Sequence, residues 1–290
     1  MPLERVGSIT FLTGENLITS AVIDAAAGFA YFGCNTFPGI VVKVDLATFE
    51  RVGSITFAAG EDGIQSAVID PAAGFAYFGC GTFPGIVVKV DLVTFERVGS
   101  ITFLAGEEYP ASAEIDPAAG FVYFGCDTGP GKVVKVSLAT FERVGSITFL
   151  TGENYLYGAV IDPAAGFAYF GCVTLPGIVV KVDLATFERV GSITFLTEGD
   201  YVDSAVIDPA AGVAYFGCSA GPGIVVKVSL ATFTRVGSIT FLAGEDSLHS
   251  AVVDTAAGFA YFGCDTTPGI VVKVAIPRGR VDHLPLCGVH

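Results

Sequence analysis

The chain repeats itself every 46 residues, and this period constrains the fold more than any other feature of the sequence. The tripeptide Phe-Gly-Cys places one cysteine at the same point of each unit, at Cys34, Cys80, Cys126, Cys172, Cys218 and Cys264. A period of this length that fills a chain indicates a solenoid or a propeller. We therefore expect one domain over residues 3–278 and a non-repeat tail over 279–290, with the units at 3–48, 49–94, 95–140, 141–186, 187–232 and 233–278.

Each unit predicts four short strands and no helix. In the second unit the β-branched and aromatic runs, separated by a Pro-Ala-Ala-Gly turn and a Pro-Gly loop, place strands at 66–70, 75–80, 86–91 and 95–103. Four strands in one unit of this length are typical of a propeller blade. The sequence thus predicts an all-β, six-bladed propeller with four antiparallel strands per blade and a narrow axial channel lined by the first strands.

The phase of the repeat predicts how the ring closes. The chain opens with a strand of the fourth type at 3–11, and its last complete strand, at 270–275, is of the third type. We therefore expect the N-terminal strand to complete the last blade, so that no sheet edge is left open. Pro277 breaks the repeat, and the tail is expected to add no blade strand.

The turn and strand motifs resemble a known repeat family. The Asp-Pro turn, followed by Phe-Ala-Tyr-Phe-Gly and then by Val-Val-Lys-Val-Asp-Leu-Ala-Thr, is similar to the YVTN-type (NHL-like) propeller repeats of prokaryotic surface proteins, and the similarity covers all six units. This resemblance implies a propeller, often extracellular, and no catalytic residues. A cysteine after the glycine of every blade departs from the family pattern. Repeats this alike indicate recent amplification or a consensus design.

Charge and hydropathy exclude several kinds of partner. The net charge of −14 repels phosphate backbones and anionic lipid headgroups, so we expect neither nucleic acid nor membrane as a partner. Mean hydropathy is +0.65, yet no apolar run reaches the roughly 20 residues that cross a bilayer. We expect no signal peptide, because residue 1 leads directly into the first repeat without a basic or apolar segment before it. Free cysteines favour the cytoplasm and the family resemblance favours the cell surface, so localisation and oligomeric state stay open.

The residues that recur in every unit have structural interpretations. The six repeat cysteines are expected to be buried and reduced, with Cys287 in the tail as the most reactive thiol. The aspartates before the Pro-Ala-Ala-Gly turns are expected to cap those turns rather than to form a calcium ring. The repeated lysines are expected to pair across strands, as Lys43 with Glu50, and the same register repeats in Lys89–Glu96, Lys135–Glu142, Lys181–Glu188 and Lys273–Glu4.

The sequence contains no catalytic or cofactor motif. His249, near Asp246 and Glu245, is the only histidine inside the repeats, and a single loop histidine is usually solvated. No nucleophile elbow, phosphate-binding loop or cluster of metal ligands is present. We therefore predict a non-enzymatic protein with no cofactor and no metal.

The differences between the six copies are concentrated in two loops of each blade. The loop before the first strand reads ENLIT, EDGIQ, EEYPA, ENYLY, GDYVD and EDSLH, and the loop between the second and third strands reads NTFPG, GTFPG, DTGPG, VTLPG, SAGPG and DTTPG. Both loops are expected on one face of the propeller, the variable face, whereas the nearly constant turns form the opposite, constant face. Divergence on one face is expected if that face meets a partner. Tighter conformational demands on the constant turns would produce the same pattern.

These observations predict a non-catalytic scaffold that binds a macromolecular partner, protein or glycan, through the variable face. One alternative is a carbohydrate-binding module with one weak site per blade, and another is an axial cation site or enzyme. Tyrosine-bearing acidic loops suit protein or glycan contact. The candidate binding residues are Tyr109, Tyr155, Tyr157, Tyr201, Glu15, Glu61, Glu107, Glu153, Glu245 and His249.

Overall fold

A computed structural model describes residues 7–195 and 200–276 of the chain. These residues form 23 strands in six antiparallel sheets, and they contain no helix. The predicted all-β, six-bladed propeller is confirmed. The described residues accordingly include no helix that is long and apolar enough to span a bilayer.

The strands follow one another in the order of the blades. Blades 1 to 3 contain β1 (Ile18–Asp24), β2 (Phe29–Cys34), β3 (Ile40–Asp45), β4 (Glu50–Thr56), β5 (Ile64–Asp70), β6 (Phe75–Cys80), β7 (Ile86–Asp91), β8 (Glu96–Thr102), β9 (Pro110–Asp116), β10 (Phe121–Cys126), β11 (Lys132–Ser137) and β12 (Glu142–Thr148). Blades 4 to 6 contain β13 (Leu156–Asp162), β14 (Phe167–Cys172), β15 (Ile178–Asp183), β16 (Glu188–Thr194), β17 (Val202–Asp208), β18 (Val213–Cys218), β19 (Ile224–Ser229), β20 (Thr234–Thr240), β21 (Leu248–Asp254), β22 (Phe259–Cys264) and β23 (Ile270–Ala275).

Within each blade the strands are hydrogen-bonded in chain order, as an antiparallel meander. The second and third strands of the second unit have the bounds that the sequence predicts, because their β-branched and aromatic runs end sharply at glycine-containing turns. The first strand begins two residues earlier than predicted, at Ile64, and the fourth is shorter at both ends. The glycine that ends each Pro-Ala-Ala-Gly turn has a positive φ, 77° at Gly74, which side chains other than glycine rarely adopt.

The core lies between the blades rather than within them. At the interface of blades 1 and 2, Tyr31 and Val41 of one sheet pack against Ile64, Phe78 and Cys80 of the next. Four further clusters of the same kind join blades 2 to 6 in succession. Sheet-on-sheet burial of these aromatic and branched side chains therefore supplies the stabilising apolar area.

The glycine of the Phe-Gly-Cys motif allows this close packing. A Cβ atom added at Gly79 would lie 2.9 Å from the carbonyl oxygen of Pro110, on the first strand of the next blade. Ser66 Oγ donates a hydrogen bond to that same carbonyl at 2.8 Å. The small residue on the second strand thus lets the first strands of neighbouring blades approach each other around the axis.

The turn aspartates cap their own turns, as expected. Asp70 Oδ1 accepts a hydrogen bond from the backbone N–H of Ala73, three residues further along the chain, at 3.1 Å. The same bond forms in the other blades, at Asp24, Asp116, Asp162, Asp208 and Asp254. These side chains serve the local backbone.

The predicted lysine–glutamate pairs are wrong. The turn between the third and fourth strands pairs Asp45, not Lys43, with Glu50, and a register shift between Lys43 and Val44 then places Lys43 opposite Gly53. Instead, the Lys43 ammonium lies 3.9 Å from the centre of the Phe29 ring, in a cation–π contact. Registers of the same kind exclude the pairs predicted for Lys89, Lys135 and Lys181. Glu4, the predicted partner of Lys273, lies outside the described residues.

The N-terminal strand was predicted to complete the last blade, and the described residues do not show this strand. The sixth sheet has three strands, and residues 7–12 are not in a strand. Phe11 nevertheless packs against Phe32 of blade 1, with ring centres 5.9 Å apart, as Phe57 packs against Phe78. Among residues 7–195 and 200–276 nothing covers the flank of blade 6, where Val271 is 66% exposed whereas its counterpart Val225 in blade 5 is 2% exposed. Residues 3–6 of the predicted closing strand lie outside the described residues.

We expect the six repeat cysteines to react with a bulky thiol reagent in a defined order. All six are free and buried, and burial raises the pKa of the Cys126 thiol to about 12. Cys264, beside the open flank of blade 6, keeps more exposure than Cys126. Since labelling needs both access and thiolate, Cys264 should be modified first under native conditions. Mass spectrometry of timed samples tests this order, and labelling of Cys126 as fast as Cys264 would contradict it. Cys287 lies outside the described residues.

Candidate binding site on the variable face

The two divergent loops of each blade lie together on one face. The backbone N–H of Gly81, at the end of the second strand, donates to the carbonyl of Gly63 in the loop before the first strand, at 2.8 Å. The loop between the second and third strands also contacts the next blade, where Gly85 N–H donates to the carbonyl of Glu107 at 2.9 Å. The predicted placement of both loops on the variable face is therefore confirmed.

In the loop before the first strand, one residue of each blade is held in place by hydrogen bonds of its backbone. Tyr155 N–H donates to the carbonyl of Thr128 in the preceding blade at 2.9 Å, and the carbonyl of Tyr155 accepts from Val173 N–H at 2.8 Å. The backbone here is left-handed, with φ of 58°. The six equivalents share this conformation and differ in side chain: Leu17, Gly63, Tyr109, Tyr155, Tyr201 and Ser247. Because the scaffold uses only backbone atoms at this position, its side chain is free to diverge.

The constant face is under tighter demands. Phe95, in the turn before the fourth strand of blade 2, has a positive φ of 52° and packs against Tyr31 of blade 1 with ring centres 5.9 Å apart. Its side chain is therefore part of the contact between blades. Packing between blades therefore explains why the turns of the constant face are nearly identical in the six units. The concentration of differences on the variable face does not by itself identify a binding surface.

Four of the predicted glutamates are buried in ion pairs instead of lying exposed on the variable face. Glu107 is 3% exposed. Its carboxylate accepts hydrogen bonds from Arg143, with Nε to Oε2 at 2.7 Å, and from the backbone N–H of Leu104. The same arrangement joins Glu15 to Arg51, Glu61 to Arg97 and Glu153 to Arg189. These four carboxylates tie the loop that leads into each blade to the outer strand of that blade.

The fifth predicted glutamate, Glu245, is half-buried and accepts a hydrogen bond from the backbone N–H of Leu242 at 2.8 Å. The prediction that all five glutamates are exposed binding groups did not consider that each carboxylate can bond to the backbone of its own loop. A carboxylate three residues after a backbone donor closes the turn on itself, and this leaves little of the side chain for a partner.

The glutamate–arginine pairs predict a loss of stability in acid. Hydrogen bonds from Arg51 hold the pKa of Glu15 at about 2. Burial opposes ionisation of Glu107, but the hydrogen bonds from Arg143, Ser146 and the Leu104 N–H together outweigh it and lower the pKa of that carboxyl as well. Since the folded state depresses these pKa values, their contribution is complete above the unfolded value of about 4.3 and is lost as the pH falls towards about 2.

We therefore expect the urea midpoint to fall between about pH 5 and pH 2. Urea unfolding curves across that range measure it. The Glu107→Gln variant, with one ionisable pair fewer, should show a shallower decline. A midpoint that stays constant from pH 5 to pH 3 would contradict the role of these pairs.

The tyrosines separate into two groups. Tyr109 lies over Gly81, where an added Cβ atom would come within 2.5 Å of its ring, and its ring centre is 5.9 Å from that of Phe83. Tyr155, Tyr157 and Tyr201 instead line a cavity of about 580 Å³ together with His249. The structure thus brings four of the ten predicted residues to one place and puts Tyr109 elsewhere.

Four further residues line this cavity and were not predicted: Asp127, Val173, Asp203 and Ser219. The signal for them was present in the repeats. Asp127 follows the second-strand cysteine, where the other units have Asn, Gly, Val, Ser and Asp. Asp203 closes the GDYVD loop, where the other units have Thr, Gln, Ala, Tyr and His. Comparing the six copies position by position, rather than searching for aromatic residues, would have found both.

The cavity opens beside the axial channel. The channel, about 310 Å³ in volume, is lined by residues from the first strands of all six blades, as predicted. Tyr157, Asp203 and His249 belong to both spaces, because they occupy the start of the first strand in blades 4, 5 and 6. The cavity therefore lies on the variable face at the mouth of the channel.

Two carboxylates and two polar side chains meet at this mouth. Tyr157 donates its hydroxyl to Asp127 Oδ2 at 2.9 Å, and His249 Nε2 lies 3.9 Å from Asp203 Oδ2. Burial raises the pKa of both Asp127 and Asp203. Ser219 Oγ is buried here beside Asp203, and its hydroxyl lowers the pKa of that carboxyl against the larger effect of burial.

Deeper in the channel, Glu114 takes the position that valine holds in the five other blades. Burial raises the pKa of its carboxyl to about 8, so the group is largely protonated near neutral pH. In the described ranges no three His, Cys, Asp or Glu residues are grouped as metal ligands.

Comparison with known proteins gives similarity at the level of the fold. No family model and no curated protein matches the chain. Among solved structures, the crystal structure of the RRP9 WD40 repeats matches with a TM-score of 0.72 and 10% identity, over 91% of this chain and 77% of that one. The structure of U3-55K matches with a TM-score of 0.71 and 9% identity, over 91% and 78%. The YVTN-type resemblance is not confirmed, and what the comparisons show is a six-bladed β-propeller with WD40-repeat structural neighbours.

Proposed function

We propose that this propeller is a non-catalytic scaffold that binds a protein partner through its variable face. The observation that carries the proposal is the cavity at the channel mouth. Its eight lining residues come from four blades, and they fall at repeat positions where the six copies differ. A concave site with convergent polar groups and aromatic walls is the usual form of a binding site.

The solved structures that share the fold support a role in protein interaction. Both are WD40-type propellers, which generally act as non-enzymatic scaffolds. Aromatic anchors in such interfaces tend to carry much of the binding energy. Tyr155 and Tyr201 are 43% and 41% exposed and stand at the cavity rim, so they can act as anchors of this kind.

The two alternatives have less support. A carbohydrate site in each blade requires the same side chains to recur, whereas Tyr155, Asp127 and Asp203 have different residues at their equivalents in most of the other units. An axial cation site requires charged ligands around the channel. At the level of Glu114 the channel has one carboxyl, which burial tends to keep neutral, among valines.

The test uses two variants of the whole chain. In one, all six loops before the first strands are replaced by the EDGIQ version of blade 2, which removes the tyrosines, Asp203 and His249 together. In the other, Glu50, Glu96 and Glu142, which are exposed on the fourth strands near the constant face, become Lys. We expect a partner captured from the native source by the wild-type chain to be lost with the first variant and retained with the second. Loss with the second variant alone would overturn the proposal.

A further inference from the structure

Two groups of carboxylates on the variable face differ in their partners. The glutamates of the first four blades are neutralised by arginines of their own blades. Asp127 and Asp203 have no such partner, because no lysine or arginine of the described residues pairs with either of them. Asp127 accepts a hydrogen bond from the neutral hydroxyl of Tyr157. Asp203 lies near His249, which carries a charge only when it is protonated. The cavity therefore retains negative charge in a place where burial makes that charge costly.

An uncompensated carboxylate in a partly desolvated site favours a cation more than the same group in water does, because charges interact more strongly where solvent is excluded. The walls add to this preference. Tyrosine rings attract cations over their faces, and the chain already uses this contact where Lys181 lies 3.6 Å from the centre of the Phe167 ring. The volume of about 580 Å³ is also ample for one side chain and part of its backbone.

We propose that the cavity receives a cationic side chain, lysine or arginine, of the protein partner. Its charge lies between Asp127 and Asp203, and its methylene stem packs on Tyr155, Tyr157 and Tyr201. The buried hydroxyl of Ser219 beside Asp203 offers a hydrogen-bond acceptor to the same group. This inference rests on the proposed function and specifies the chemistry of the partner at one point of the surface.

The probe is a displayed library of random dodecapeptides, selected against the immobilised full-length chain. We expect the enriched peptides to share one lysine or arginine. Replacing that residue by norleucine, which keeps the stem and removes the charge, should weaken binding about tenfold or more, since charge-assisted hydrogen bonds are among the strong ones. Affinity should also fall as salt is added.

The variants make the assignment specific. With the Asp127→Asn and Asp203→Asn double variant, the cationic peptide should lose about tenfold in affinity, and the norleucine exchange should then change binding less than about twofold. Asparagine can still accept the Tyr157 hydrogen bond, so the fold should be unaffected, which a thermal melt checks. Asp265→Asn is the matched control, because Asp265 occupies the repeat position of Asp127 in blade 6, is exposed and lies outside the cavity.

The outcomes separate the two proposals. Neutral or acidic peptides whose binding is lost with the Tyr155→Gly and Tyr201→Gly variants would overturn the cationic inference and leave the proposed function standing. A neutral glycan that competes with them would do the same. A selection whose binders are all insensitive to variants of the variable face, or which yields no binder, would contradict both.

Discussion

Replacing Arg143 by alanine is expected to destabilise the propeller by about 3–5 kcal/mol, the usual cost of breaking a buried pair by removing one partner. The variant leaves the Glu107 carboxylate buried in the loop that leads into blade 3, with the backbone N–H of Leu104 still bound but without the guanidinium. Urea unfolding of the two proteins measures the difference in the free energy of unfolding.

Glu142→Gln is the matched control for this experiment. Glu142 neighbours Arg143 on the same strand but is exposed, and no described residue forms an ion pair with it. Changes at such surface positions usually stay within about 0.5 kcal/mol. If Arg143→Ala costs no more than this control, the glutamate–arginine pairs do not hold the loops, and the acidic residues of the variable face return as binding candidates.

Exchanging Tyr155 and Tyr201 for glycine is expected to reduce partner binding by about 2 kcal/mol or more for each residue, the range of interface anchors. The fold should be unaffected or slightly stabilised, because both residues have a positive φ and Gly63 occupies the same backbone position in blade 2. Titration of the partner against both proteins measures the change in affinity, and a thermal melt measures the stability.

Tyr109→Gly is the control for those exchanges. Tyr109 has the same residue type, the same left-handed backbone and the same face of the propeller, but it packs over Gly81 and Phe83 and does not line the cavity. Its removal should change affinity little. Equal losses from Tyr109→Gly and from Tyr155→Gly would mean that the partner covers the whole ring of loops rather than the cavity.

The sequence predicted the blades well because the repeat supplies six independent copies of the same local signals. Turn glycines, Asp-Pro pairs and β-branched runs recur at fixed spacing, and they specify the strands Phe75–Cys80 and Ile86–Asp91 to the residue. The lysine–glutamate register was predicted wrongly because the turn pairs Asp45 rather than Lys43 with Glu50, and a bulge next to Lys43 then shifts the later pairs by one residue. The glycine that recurs inside the fourth strand, Gly53 in blade 1, was the sequence signal for this bulge.

The residues that line the cavity were predicted only in part, because some of their contacts form only in the folded chain. Exposed tyrosines on divergent loops indicate a contact surface, and three of the four tyrosines do line the cavity with His249. Whether a loop carboxylate faces solvent or an arginine depends on a contact between residues 36 apart, such as Glu107 and Arg143, which only the folded chain reveals. Asp127 and Asp203 were missed because each lies in a different loop of a different blade and becomes part of one site only when the ring forms.

Hydrogen–deuterium exchange of the chain, with and without its partner bound, tests most directly whether the variable face is the binding surface. Binding at the cavity should slow exchange in the segments 155–157 and 201–203 and leave the constant turns at 163–166 and 209–212 unchanged, although both sets of segments belong to the same two blades. Protection confined to those constant turns, with no change at the channel mouth, would contradict the assignment of the variable face as the binding surface.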